Sequence, residues 1–114
     1  MFEILQMSAA EIVRQIKSKS ITVIETVEAH IQRIEKVNPL INAVIIPLFE
    51  QARQQAKDAD QHIAENGTED LPPLYGVPVT IKDCWAVEGA RFTGGSTYHR
   101  DDIADSDAEV VKRF

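Results

Sequence analysis

Cysteine is almost missing from this sequence: Cys84 is the only one, so no intrachain disulfide can form, which argues against a secreted, disulfide-stapled fold. Basic residues are outnumbered. Twelve Lys and Arg face 18 Asp and Glu for a formal charge of -6, and nothing electrostatic points to a phosphate backbone or an anionic membrane surface. No nucleic-acid partner is expected. Long apolar runs are also lacking: the longest, Ala43 to Phe49, is interrupted by Pro47 and is far too short to span a bilayer. The amino terminus, Met1-Phe2-Glu3-Ile4-Leu5-Gln6, has neither a basic stretch nor a continuous apolar one, so a cytoplasmic location is expected. No block of like charge, internal repeat or low-complexity tract is seen. What remains, 44% hydrophobic and 26% charged residues over a length of 114, is the composition of one small globular domain.

Acid is concentrated in the middle. Residues 1–46 balance five basic against five acidic groups, residues 47–70 hold two against six, and residues 71–114 hold five against seven. Ser8-Ala9-Ala10-Glu11 is a capping-box pattern, in which the serine hydroxyl and the glutamate carboxylate each satisfy an orphan backbone N–H. It predicts a short helix to about Ser18 with Ile12, Val13 and Ile16 on its buried stripe. Thr22-Val23-Ile24-Glu25 repeats the signature and opens a longer helix, whose Val23, Val27, Ile31, Ile34 and Val37 recur at helical spacing. Asn38-Pro39 is expected to end it. Ile41 to Ile46, short and β-branched, reads as a buried strand, with Pro47 then in the first turn of a third helix. In that helix Ala52, Ala56, Ala59 and Ile63 make a narrow small-residue stripe, and Asn66-Gly67 supplies the stop.

After the acidic connector Thr68 to Pro73 the pattern becomes extended, at Val77-Pro78-Val79-Thr80-Ile81, with the proline suiting a strand start or edge. Gly89 to Ser96 reads as loop, with Gly94-Gly95 at a tight turn. Ser106-Asp107-Ala108-Glu109 is a third capping box, opening a helix through Val110 and Val111 that nothing caps before Phe114. That pattern is expected of a segment of a longer protein.

The stretch Leu74 to Asp83 delivers a lysine, Lys82, at the end of an apolar strand. A lysine so placed either reaches solvent along its flexible stem or is desolvated, and desolvation makes an amine a competent general base near neutral pH. Asp83 beside it reads equally as a group that orients or neutralises the lysine and as a surface carboxylate. Trp85 and Phe92 read as packing residues or as the lining of an acyl pocket. Cys84 suggests thiol chemistry, but no glutamate at a recognisable spacing accompanies it, and it is read as a small buried hydrophobe. His30, His62 and His99 have no metal-ligand spacing, so neither a metal nor a cofactor is expected.

Gly76-Val77-Pro78-Val79-Thr80-Ile81-Lys82-Asp83 resembles the Gly-(Ile/Val)-Pro-x-x-(Ile/Val)-Lys-Asp motif of the amidase signature hydrolases. Glu88-Gly89, Thr93-Gly94-Gly95-Ser96 and Asp107-Ala108-Glu109-Val110-Val111 follow in the family's order. Upstream, Ala10-Glu11-Ile12 and the run from Arg33 to Ala43 extend the resemblance over nearly the whole chain. The wording from His99 to Asp107 is closer to the fatty-acid-amide-hydrolase-like branch than to the transamidosome subunit.

The resemblance implies an α/β fold, with amino-terminal helices and the first strands of a mixed sheet whose remainder is missing. It makes 1–114 the amino-terminal part of a single amidase signature domain, residues 1–70 mainly helical and 71–114 carrying strand, lysine motif, loop and the start of a helix. It also implies hydrolysis of carboxylic amides by a Ser-cis-Ser-Lys triad, with the triad lysine at Lys82 as base and then acid. Both serines of that triad lie downstream of the last helix, so this chain alone should not complete a catalytic cycle. Ser96 matches an earlier turn serine of the family rather than either of them.

The implied partner is a small-molecule amide. The sibling reading is a segment of the glutaminase subunit of the glutamyl-tRNA amidotransferase, which would bring protein partners. A reading of another class is a shortened, non-catalytic interaction module, because a sheet cut between strands leaves edges that seek a second copy or a complementing chain.

Overall fold

The computed structural model describes residues 3–114; Met1 and Phe2, which begin the terminus read as having neither a basic nor a continuous apolar stretch, lie outside them. The chain folds as two compact units, Met1–Pro78 and Val79–Phe114.

The first unit holds a 3-10 turn, Ile4–Gln6, and three helices, α1 (Ala9–Lys17), α2 (Val23–Ile41) and α3 (Phe49–Asn66). Both early capping boxes form. Ser8 N–H donates to Glu11 Oε2 at 2.7 Å while Glu11 N–H donates to Ser8 Oγ, and Thr22 N–H donates to Glu25 Oε2 at 2.8 Å while Glu25 N–H donates to Thr22 Oγ1. Four otherwise orphan donors are satisfied, so two helix starts are set within a few residues of chain. α1 closes where Lys19 enters the left-handed region at φ 59°, with Lys19 N–H on Ile16 O and Ser20 N–H on Gln15 O.

The predicted stripes meet in one core. Ile12 and Ile16 of α1, Val23, Val27 and Ile31 of α2, and Ala56 and Ile63 of α3 are buried together with Leu71, and Ala52, Ala59, Tyr75 and Val77 pack against them. The small residues of α3 let its backbone approach α2 closely. Farther along α2 the expected stripe thins, with Ile34 and Val37 only half-buried. α3 ends as expected, at Asn66, with Gly67 N–H on Ile63 O.

Two expectations for this unit are corrected. α2 runs through Pro39 to Ile41 and ends at Asn42, which takes the left-handed conformation. Pro39 lies within a turn of the helix end, where its fixed φ suits the helix and its missing N–H forfeits a single bond. The strand expected at Ile41 to Ile46 does not form, because Asn38 binds both backbone groups that Val44 would offer a neighbour, its Nδ2 donating to Val44 O and its Oδ1 accepting from Val44 N–H, each at 2.9 Å. Ile41 and Ile45 are accordingly 62% and 47% exposed rather than buried. Pro47 lies just before the cap residue Leu48, outside the first turn of α3.

Gly76 sits against this core with φ 80°, and a Cβ there would lie 2.8 Å from both Ile16 Cδ1 and Val23 Cγ2. Only glycine satisfies both the torsion and the approach.

In the second unit Arg91 and Ile103 form an antiparallel bridge, with Phe92 N–H on Asp102 O, Ala104 N–H on Ala90 O and Gly89 N–H on Ala104 O. Ala90 and Ala104 are its buried apolar residues. A 3-10 turn, Thr97–His99, and a short helix, α4 (Glu109–Lys112), complete it. The third capping box does not form: Ala108 takes the cap position, and Asp107 Oδ1 instead accepts from Glu88 N–H at 2.7 Å.

The α/β expectation is met in its helices and not in its sheet. Among the described residues no strand forms, and the backbone N–H groups of Val79, Thr80, Ile81 and Lys82 find no hydrogen-bond partner. A strand is stabilised by its neighbours' ladders, and this segment has no neighbour here.

Candidate active site

Lys82 lies in the second unit at the start of a turn in which its carbonyl accepts from Trp85 N–H at 3.0 Å. Its side chain is exposed, and among the described residues it forms no ion pair. The apolar segment before it is not buried either: Ile81 is half-buried and Val79 is 51% exposed. Among the described residues, therefore, nothing buries the amine.

Asp83 is organised far more tightly. Thr93 N–H donates to Asp83 Oδ1 at 2.9 Å, the Thr93 hydroxyl donates to Asp83 Oδ2, and Gly94 N–H donates to the Asp83 carbonyl at 2.9 Å. Thr93 Oγ1 in turn accepts from Gly95 N–H at 3.1 Å. Gly94 and Gly95 both have positive φ, 56° and 76°, which places these N–H groups without a Cβ clash. The bonds from the Thr93 hydroxyl and then its N–H hold the Asp83 carboxyl below the ordinary carboxylate range, against the opposing effect of burial. Of the two readings of Asp83, the carboxylate turns to the loop and not to the lysine.

The other candidates are dispersed. Cys84 is exposed, which corrects its reading as a buried hydrophobe. Trp85 and Phe92 are 52% and 38% exposed. Ser96 caps the 3-10 turn, its Oγ accepting from Tyr98 N–H, as befits a turn serine. His30 bonds Thr26 O, His62 stacks toward Tyr75, and His99 pairs with Asp102 at 2.7 Å, so the three are each engaged separately. Sequence reasoning missed Thr93 as the partner of Asp83. The only signal was its place before Gly94-Gly95, which marks a turn but not what the turn binds.

The amidase family model matches residues 25–114, which includes the whole lysine motif and the Thr93 loop. This chain belongs to the amidase family. It is 39% identical to fatty-acid amide hydrolase 2-A of Danio rerio over 113 residues, covering 95% of this chain and 21% of that protein. It is 41% identical to indoleacetamide hydrolase of Bradyrhizobium diazoefficiens over 109 residues, covering 96% of this chain and 20% of the relative. It is also 39% identical to a glutamyl-tRNA(Gln) amidotransferase subunit of Carboxydothermus hydrogenoformans, covering 98% of this chain and 23% of that one. A solved structure described as "An unexpected vestigial protein complex reveals the evolutionary origins of an s-triazine catabolic enzyme", in its inhibitor-bound form, superposes with a TM-score of 0.87 at 32% identity over 94% of this chain and 23% of its own. The amidase segment thus spans about a fifth of the length of the curated relatives it matches.

Proposed function

We propose that this chain is the amino-terminal part of a single amidase signature domain that hydrolyses carboxylic amides, with Lys82 as the base of a Ser-cis-Ser-Lys triad. The observation that carries the reading is the family match across residues 25–114, within which the lysine motif stands complete. In the proposed reaction the Lys82 amine takes a proton relayed through the bridging serine as the nucleophilic serine attacks the amide carbonyl. The lysine then returns that proton to the leaving amine, and water releases the acid from the acyl-enzyme. Both serines lie outside this chain, so 114 residues alone are inactive in this reading.

The Val77–Ile81 segment is, in the same reading, a strand whose ladder partners belong to the rest of the domain. Its neighbours there would also desolvate Lys82, which is exposed in this chain. The substrate is a small-molecule amide, no metal or cofactor is required, and the location is cytoplasmic. No helix among the described residues is long and apolar enough to cross a membrane.

The test is ammonia release by the complete domain, this chain joined to the part that carries both serines, from three amides: oleamide, indole-3-acetamide and glutamine. Turnover that Lys82→Met abolishes supports the reading, and turnover that survives it overturns the base assignment. Glutamine as sole substrate would favour the amidotransferase segment, a sibling reading supported by the 39% identity to the Carboxydothermus protein.

A second reading, a non-catalytic interaction module, is favoured by Leu40 and Ile41 at 88% and 62% exposure. It requires a second copy or a complementing chain on that apolar end of α2. Sedimentation that is independent of concentration, with no partner in the assembly, removes it.

A further inference from the structure

A lysine acting as a base at the end of a four-carbon stem needs its Cα held, because a small displacement at the backbone is amplified at the amine. In this chain the residue after Lys82 is bonded through both its side chain and its backbone. The Asp83 carboxylate takes the Thr93 N–H and hydroxyl, and the Asp83 carbonyl takes Gly94 N–H. The Lys82 carbonyl is itself closed in a turn by Trp85 N–H. An adjacent aspartate free to swing would pair with the amine and hold it protonated, which is the wrong state for a base. Asp83 is committed to Thr93, and among the described residues Lys82 has no ion-pair partner.

We infer that Asp83 is a positioning residue for Lys82: by binding Thr93 it locks the turn that carries the lysine to the Thr93–Gly95 loop and keeps its own charge off the amine. The inference rests on Lys82 being the base. Thr93 has the matching part, since its hydroxyl donates to Asp83 while accepting from Gly95 N–H, so one side chain couples the carboxylate to the glycine turn.

The experiment uses the same complete domain, with ammonia release from oleamide, indole-3-acetamide and glutamine and with amide hydrogen exchange. Asp83→Ala is expected to lower kcat about a hundredfold with KM nearly unchanged. Thr93→Val, which keeps the N–H and loses the hydroxyl, should fall between it and the parent, and Thr93→Ser should restore the rate. The Thr93, Gly94 and Gly95 amides should exchange faster in Asp83→Ala while α2 and α3 amides do not change. Parental kcat in a folded Thr93→Val or Asp83→Ala overturns the inference, as does unchanged exchange at Thr93 and Gly94. If Asp83→Ala fails to fold, Thr93→Val decides. Lys82→Met separates the two claims: activity lost there but kept in the Asp83 and Thr93 variants refutes the positioning role alone, and activity kept in Lys82→Met refutes the base. Absence of turnover of all three amides by the complete domain, this chain together with the part that carries both serines, overturns both.

Discussion

Asp60, in the middle of α3, accepts the backbone N–H groups of Val23 at 2.8 Å and Ile24 at 3.0 Å, the first residues of α2. These are two of the orphan donors at that helix start, and they are satisfied by a carboxylate far along the chain rather than by the local cap. Thr22 and Glu25 are occupied with each other, so the two capping devices divide the donors between them. The anion also lies at the positive end of the α2 dipole. Asp60→Ala is expected to destabilise the first unit by about 1–2 kcal/mol, with Asp60→Asn costing less. Urea unfolding midpoints of the two variants check this, and a midpoint in Asp60→Ala equal to the parent's refutes it.

Gly76→Ala should be costlier. The new methyl would stand 2.8 Å from Ile16 Cδ1 and from Val23 Cγ2, in a residue at φ 80°. Strain in the left-handed region and overpacking together give about 2–4 kcal/mol. Ile16→Val removes the Cδ1 contact, so the double variant should lose less than the sum of the single losses. Strict additivity in a denaturant double-mutant cycle would argue that the contact is not the cause.

Acid should loosen the helix starts. The backbone N–H and then the hydroxyl of Ser8 hold the Glu11 carboxyl below its ordinary value, and Thr22 does the same to Glu25. A folded-state pKa below the unfolded one contributes stability that is present above the unfolded pKa. That stability is lost as pH falls through the folded pKa. The loss is therefore expected below the ordinary carboxylate range. NMR titration of the two glutamate side chains should give midpoints below the ordinary glutamate value; midpoints at that value would contradict the assignment.

Lys82→Met is predicted to separate function from stability. The side chain is exposed and forms no ion pair among the described residues, so the unfolding free energy of this chain should change by no more than about 0.5 kcal/mol while amide hydrolysis by the complete domain is lost. Thermal unfolding beside the ammonia assay measures both. A large fall in melting temperature would assign the lysine a structural role instead.

Much of this was legible because it is local. A capping box is completed within four residues, a helical stripe repeats within a turn, and Gly67 ends α3 by its own torsion, so the sequence alone determined α1, the start of α2, the end of α3 and most of the residues of their shared core. The lysine motif was legible too, as a string of residue types in a fixed order. Tertiary structure decided the rest, because those choices depend on partners distant in sequence. Whether Val77–Ile81 is a strand depends on a neighbour's backbone, and among the described residues there is none. Asn38 converted an expected strand into a connector by binding Val44, while Pro39 sat close enough to the helix end to be carried along. Asp83 could as well have faced Lys82 as Thr93, since a carboxylate binds whatever donors the folded chain brings to it. The intervening chain had to fold back before Thr93 could supply its N–H and its hydroxyl.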